Sequence, residues 1–236
     1  MKKLCLIVLW IGLGATLALA QHQYAFYYDL TDGQDLEITV MNPMVGSASF
    51  VLSAYDAYGM RLWSDSSALA PSSSGYILLS EVVPLTNVSW GLVTVSSTQR
   101  LLFGLEYLLD GQVVSISTLT TEVTPFAADE PFWLGAYYSQ AGDARTAAIV
   151  MNPWSESTEC LFQIYNRDGY AIYSRSLQLA PYEAEYLDLT GALGAGALIW
   201  GLVDIAMQVH PVILALEYYG RGCNGLVIDN VIAPYY

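Results

Sequence analysis

The chain has 236 residues, of which 54% are hydrophobic and 13% charged, and it carries a net charge of −14. Disorder needs low hydrophobicity and dense charge, so this balance excludes it for the bulk of the chain. The acidic field repels phosphate, which argues against nucleic acid and anionic lipid headgroups as partners.

In chain order, Lys2-Lys3 gives a basic head, Leu4 to Leu17 is almost wholly apolar, and Ala18-Leu19-Ala20 precedes a polar turn at Gln21. That is the three-part pattern of a secretory signal, with cleavage expected between Ala20 and Gln21. The apolar run is short for a membrane span, which needs ~20 residues. Both lysines fall in this leader, leaving six arginines against 22 acidic side chains, a net −16 (six minus 22). An exported protein, periplasmic or extracellular, with no membrane span after cleavage is the expectation. Later apolar runs are interrupted by Asp204, His210 and Pro211.

From residue 21 the sequence repeats itself. Tyr27-Tyr28 recurs as Tyr137-Tyr138, Val40-Met41-Asn42-Pro43 as Val150-Met151-Asn152-Pro153, and Tyr55 and Gly59 as Tyr165 and Gly169. Leu69-Ala70-Pro71 recurs as Leu179-Ala180-Pro181, Tyr76 as Tyr186, and Trp90-Gly91-Leu92-Val93 as Trp200-Gly201-Leu202-Val203. Leu105-Glu106-Tyr107 then returns as Leu216-Glu217-Tyr218, one residue later in register. A constant offset over such a distance marks an internal duplication. It divides the chain into a leader (1–20), a first repeat (21–123), a linker with two prolines (124–131) and a second repeat (132–236).

Within each repeat the breaks are β-type. Asn-Pro ends a strand because proline cannot donate to a ladder. Tyr55-Asp56-Ala57-Tyr58-Gly59 and Tyr165-Asn166-Arg167-Asp168-Gly169 read as glycine-closed hairpin loops. The expected strands of the first copy are 36–41, 49–55, 60–64, 75–80, 91–96, 101–108 and 113–118, and the second copy ends near 226–231. Val212 to Leu216 is apolar on both faces, which predicts a central strand or contact with the other copy. Glycines at 191, 194 and 196 argue against helix over 190–197. Seven or so short strands per copy, with no convincing helix, predict an all-β chain of two tandem β-sandwich domains.

On the repeat length, the strand count, the Asn-Pro strand ends and the Tyr-Asx-x-x-Gly hairpins, the chain resembles tandem immunoglobulin-like or fibronectin-like sandwich repeats of bacterial envelope and secreted proteins. The resemblance covers nearly the whole chain after the leader. It departs from antibody domains in lacking their Cys–Trp–Cys arrangement, since Cys160 and Cys223 both lie in the second copy. Such a fold hosts many functions.

Chemistry-bearing residues are few. His22 stands beside the expected new N-terminus, where mobility is expected, and His210 aligns with Gln99. No metalloprotease, nucleophile-elbow or nucleotide-loop motif occurs. Glu106 and Glu217 each sit in an apolar strand; they read either as a glycosidase-type carboxylate pair or as one acid serving each fold. Asp29, Asp32 and Asp35, with Glu37, cluster near Gly33 and read as a Ca²⁺ loop or as a solvated turn. Cys160 and Cys223 are disulfide candidates in an exported protein, a cross-link worth up to ~4 kcal/mol, or two separate thiols. Asn87-Val88-Ser89 fits a glycosylation acceptor. Tyr27, Tyr28, Trp133, Tyr137 and Tyr138 open the two copies and are candidate stacking residues for a ligand. The expected function is a non-catalytic structural or binding module, with a protein or glycan partner at the cell surface and no cofactor beyond that Ca²⁺ candidate. The alternatives are a carbohydrate-binding module using exposed Tyr and Trp, then a carboxylate-dependent hydrolase.

Overall fold

The computed structural model describes residues 22–84, 88–120, 122–123, 132–140, 145–193, 200–207, 210–220 and 223–231, with backbone only at 132–133, 219–220 and 223–231. The expected leader (1–20), the linker (124–131) and Asn87 lie outside them.

The chain is all-β. Its first half runs β1 (His22–Asp29), β2 (Gln34–Asn42), β3 (Ala48–Asp56), β4 (Arg61–Leu69), β5 (Ser73–Leu78), a one-turn α1 (Leu79–Val82), β6 (Trp90–Ser97), β7 (Leu102–Leu109) and β8 (Gln112–Leu119). The second half runs β9 (Phe132–Ser139), β10 (Arg145–Met151), β11 (Thr158–Asn166), β12 (Ala171–Leu179), β13 (Ala184–Asp188), α2 (Leu189–Leu193), β14 (Trp200–Met207), β15 (Ile213–Gly220) and β16 (Cys223–Val231). Among the described residues each half has eight strands where about seven were expected, because the tyrosine-rich openings are themselves strands β1 and β9. A helical turn occupies 189–193, where the glycines argued against one; a single turn needs little propensity when its first residue, Leu189, is fully buried.

The strands form four antiparallel four-stranded sheets. Orders β1-β6-β3-β4 and β5-β2-β7-β8 belong to the first half; β9-β14-β11-β12 and β16-β15-β10-β13 belong to the second. Adding eight to each strand number of the first half reproduces the second, so the two halves share one topology. Period-two alternation puts Leu36, Ile38 and Val40 of β2 in the first sandwich core with Phe26, Leu52, Val95 and Phe103. Leu134, Phe162, Val203 and Leu214 fill the second.

The repeated motifs have specific jobs. Asn42 is buried where β2 ends: its Nδ2 donates to the carbonyls of Gly46 (2.8 Å) and Ala70 (3.0 Å), and its Oδ1 accepts from Met44 N (3.0 Å). Asn152 makes the same set with Glu156 O (2.7 Å), Ala180 O (2.8 Å) and Trp154 N (3.1 Å). The asparagine therefore stitches two loops together, and the following proline only ends the strand. The tyrosine of Leu-Glu-Tyr crosses between sheets: Tyr107 OH donates to Tyr27 O (2.9 Å) and Tyr218 OH to Tyr137 O (2.8 Å). In the hairpins Asp56 Oδ1 accepts from the backbone of Tyr58 and Met60, and Asn166 Oδ1 from Asp168 and Tyr170. Gly59 and Gly169 close them at φ +80° and +81°. Gly91 and Gly201 of Trp-Gly-Leu-Val lie against the carbonyls of Tyr55 and Tyr165, where no Cβ fits.

The halves pack on each other. In β10 and β15, Ala148, Val150, Leu214 and Leu216 enter the second core, while Ile149, Met151, Ile213 and Ala215 join the core of the first half. The run apolar on both faces is thus both a central strand and an inter-half contact.

Candidate functional site

The outer face of the β1-β6-β3 sheet carries Tyr27, Trp90, Leu92 and Tyr55. The second half covers it. Tyr27 OH donates to Glu217 Oε1 at 2.8 Å, Trp90 meets the Tyr186 ring edge-on at 6.0 Å, and Tyr55 stacks on Tyr182 at 4.1 Å and 11°. Ala184 N donates to Ala57 O (3.0 Å), so a strand end seats beside the β3–β4 hairpin. Tyr27 and Leu92 are left essentially without solvent exposure.

The equivalent face of the second half, on β9, β14 and β11, is open. Tyr137 is 51% exposed, Trp200 44% and Leu202 40%. The Tyr137 and Trp200 rings lie 6.3 Å apart, tilted by 40°. Beside them a shallow groove of about 450 Å³ is lined by Tyr165, Asn166, Arg167, Trp200, Leu202 and Asp204. Burial holds the Asp204 carboxyl above its ordinary range, against a backbone hydrogen bond from Ile205 that lowers it. Aromatic faces, an apolar floor and a few polar groups of both signs make a binding surface.

The sequence candidates divide around this surface. Tyr137 is on it. Tyr27, Tyr28 and Tyr138 are buried and form no exposed platform, although alternate residues of each pair do face opposite sides of their strand. In the first half both sides are covered, one by its own core and the other by the second half, which sequence alternation could not reveal. The Trp133 side chain lies outside the described residues. Trp200, Leu202 and Arg167 were not singled out as ligand residues. The signal that could have found them is retention of Trp-Gly-Leu-Val in a strand whose outer face has no core to join.

Tyr28 and Tyr138 carry a second shared feature. Their hydroxyls are buried without a hydrogen-bond partner among the described residues, and burial raises both, Tyr138 to about 12.

Asp29, Asp32 and Asp35 do not converge. Asp29 Oδ1 accepts from the backbone N and the hydroxyl of Thr31, closing an Asx turn, and burial holds its carboxyl above the usual range against those bonds. Asp32 sits in the left-handed turn at φ +50°. Asp35 accepts from Ser80 N and Ser80 Oγ, anchoring α1. Among the described residues no three His, Cys, Asp or Glu side chains are placed to hold a metal.

Glu106 and Glu217 are not a pair. Glu217 faces Tyr27 on the outer side of one sheet of the first sandwich, and Glu106 points outward from the other sheet, so a sandwich roughly 10 Å thick lies between them. His22 is not loose: its Nδ1 lies 2.9 Å from Glu122, which Arg100 also grips at 2.9 Å. His210 packs on Trp154 and lies 3.7 Å from Glu156. Cys160 is a free, buried thiol, raised to about 12 by burial and by Glu159. Register places it beside Met207, while Cys223 pairs with Gly220 at the opposite end of β15. Val212 N donates to Met207 Sδ, so the Cys160 end of the sandwich is the start of β15. Seven residues of strand, roughly 23 Å, therefore separate the two cysteines. The disulfide that secretion would allow does not form in this arrangement. Among the described residues, no helix is long and apolar enough to cross a membrane.

No protein-family model matches the chain, and no curated protein matches it. Solved structures similar in part include a putative beta-galactosidase from Bacteroides fragilis (10% identity, TM-score 0.20, 93% of this chain and 34% of that one). Others are a family 2 glycosyl hydrolase from Bacteroides cellulosilyticus DSM 14838 (5%, 0.20, 89% and 27%) and a Bacteroides uniformis beta-glucuronidase (12%, 0.19, 88% and 25%). The chain spans about a third of those proteins or less. At such TM-scores the superposition does not establish a shared fold, and the activities in those names are those proteins' own.

Proposed function

We propose that this chain is an exported, non-catalytic binding module of the cell envelope or extracellular space, an immunoglobulin-like or fibronectin-like tandem sandwich whose binding surface is the open face of β9, β14 and β11. One observation carries this reading. The same face exists twice; in the first half it is sealed by a protein surface, and in the second it is open, with Tyr137, Trp200 and Leu202 exposed. A sandwich needs no half-exposed tryptophan for stability, and a cluster of aromatic and aliphatic side chains rimmed by charge is how interfaces are built. The non-catalytic part is supported by the acids. Glu217 is sealed, Glu106 lies on another sheet directly across from Glu37, and each histidine is engaged by a glutamate.

A second reading has its own support. The tilted Tyr137–Trp200 pair beside Asn166, Arg167 and Asp204 offers stacking surfaces and hydrogen-bonding groups suited to a sugar. The test is retention of the purified protein on envelope fractions and on immobilised polysaccharides, with and without Trp200→Ala and Tyr137→Ala. Binding lost in both variants supports the open face as the binding surface. Glycoside turnover abolished by Glu106→Gln or Glu217→Gln would overturn the non-catalytic reading.

A further inference from the structure

We infer that the open face of the second half is the docking site for the first half of another copy of this chain, so that the protein assembles head to tail. This names the partner of the surface proposed above and rests on that reading.

The chain already contains one such junction. The face formed by Tyr27, Trp90 and Leu92 receives the outer face of the β10, β13 and β15 sheet, with Glu217 and Tyr186 as its polar and aromatic contacts. Each of these surfaces has a counterpart that the described residues leave largely uncovered, β16 reaching only β8 and part of β7. The receiving counterpart is Tyr137, Trp200 and Leu202. The inserting counterpart is the outer face of the β5-β2-β7 sheet. There Tyr76 stands where Tyr186 does, Glu106 where Glu217 does, and Met41 where Met151 does.

These residues are free on both ends. Tyr76 is 76% exposed, and Glu106 and Met41 are only partly buried on the outward side of their strands. The groove beside Trp200 is the counterpart of the seat by the β3–β4 hairpin into which the second half inserts. A second copy placed by the operation that relates the halves would bring Glu106 to the Tyr137 hydroxyl and Tyr76 to the Trp200 edge.

Retention on both faces is what makes a second copy the occupant. Asn42 and Asn152, which are kept for the fold, are buried in both halves. Tyr137, Trp200, Tyr76 and Glu106 are kept and left out of both cores. A glycan would explain the aromatic face but not the matching Tyr76 and Glu106 on the opposite end. Because the two surfaces differ, the contact is heterologous, and successive copies extend as an open series unless the rotation closes a ring. The free junction is weaker than the internal one. Thr39 stands where Ile149 does, Glu37 where Ala147 does, Ser72 where Tyr182 does, and Gly104 where Ala215 does, so less apolar surface is buried and a second carboxylate lies beside Glu106.

The experiment is sedimentation velocity of the full mature chain up to about 0.5 mM, a range that captures Kd values weaker than micromolar. Trp200→Arg blocks one end and Tyr76→Arg the other. Both sites are exposed, and circular dichroism and melting report whether each variant is folded. The wild type is expected to form a series beyond the dimer, each variant alone to stay monomeric, and a mixture of the two to form one-to-one dimers and nothing larger. A wild type monomeric throughout, or a variant pair that fails to combine, would overturn the inference. A monomer that still binds polysaccharide and loses it with Trp200→Arg would sink self-assembly and leave the binding surface standing; a monomer that binds nothing would remove both.

Discussion

Replacing Asn42 or Asn152 tests the fold at the point where the two halves agree most closely. Each carboxamide has two N–H groups and places both on loop carbonyls, at 2.8 and 3.0 Å for Asn42 and 2.7 and 2.8 Å for Asn152, while its oxygen accepts one backbone N–H. Alanine removes three hydrogen bonds and leaves buried groups unpaired. At about 1 kcal/mol net per bond, with a further penalty for the orphaned carbonyls, the loss is about 3–5 kcal/mol. If the chain unfolds as one unit, that lowers Tm by roughly 6–20 °C. Asn42→Asp is the sharper probe, because it keeps the acceptor and turns the donor into a buried negative oxygen facing two carbonyls. It is expected to be worse than alanine at pH 7. Burial raises the new carboxyl's folded-state pKa, so the folded state binds more protons than the unfolded one, and stability should recover as pH falls toward and below the ordinary carboxylate range. Urea unfolding of the four variants from pH 4 to 8 measures this. A loss under about 1 kcal/mol for Asn42→Asp at pH 7, or opposite behaviour of Asn42 and Asn152, would refute the reasoning.

Other predictions follow the same logic. Tyr28→Phe and Tyr138→Phe remove unpartnered buried hydroxyls and should leave stability unchanged or raise it by up to about 2 kcal/mol, whereas Tyr107→Phe should lose about 1 kcal/mol with its bond to Tyr27 O; chemical denaturation separates them. Ile149→Thr puts the first half's residue into the sealed junction and should destabilise by about 1–2 kcal/mol in the same assay, while Thr39→Ile on the free face should change monomer stability by less than about 0.5 kcal/mol. Asp204 is held above its usual pKa by burial, so the folded state retains its proton longer than the unfolded one and stability falls as pH rises through that window. Asp204→Asn should therefore raise Tm at pH 7, with the difference closing as pH falls to the unfolded carboxylate pKa.

Local chemistry was largely legible in the sequence. The hairpins at 56–59 and 166–169, the strand ends at Asn-Pro, and the two-sided apolar run at 212–216 are short-range patterns with one physical meaning each, and the structure realises all of them. What was not legible depends on packing between distant parts. Leu-Glu-Tyr occurs in both halves, yet Glu217 is sealed against Tyr27 and Glu106 is only partly buried, a difference set by which half docks on which. The opening tyrosines looked like a platform because period-two alternation shows only that two faces exist, not that a second sandwich covers the outer one. The aspartates near Gly33 looked like a cation loop because spacing does not reveal that Asp29 closes its own turn and Asp35 holds α1. The open face shows only in the exposure of equivalent positions, which is set by how the halves pack.

One surface occurs twice in this chain, once covered and once open. Hydroxyl-radical footprinting of the dilute protein, read by mass spectrometry, tests it directly. Tyr137 and Trp200 should be oxidised readily while Tyr27 and Tyr55 are protected, in line with exposures of 51% and 44% against 1% and 8%. Equal oxidation of Tyr27 and Tyr137 in the folded protein would contradict it, because the halves would then not be packed together and neither face would be distinguished from the other.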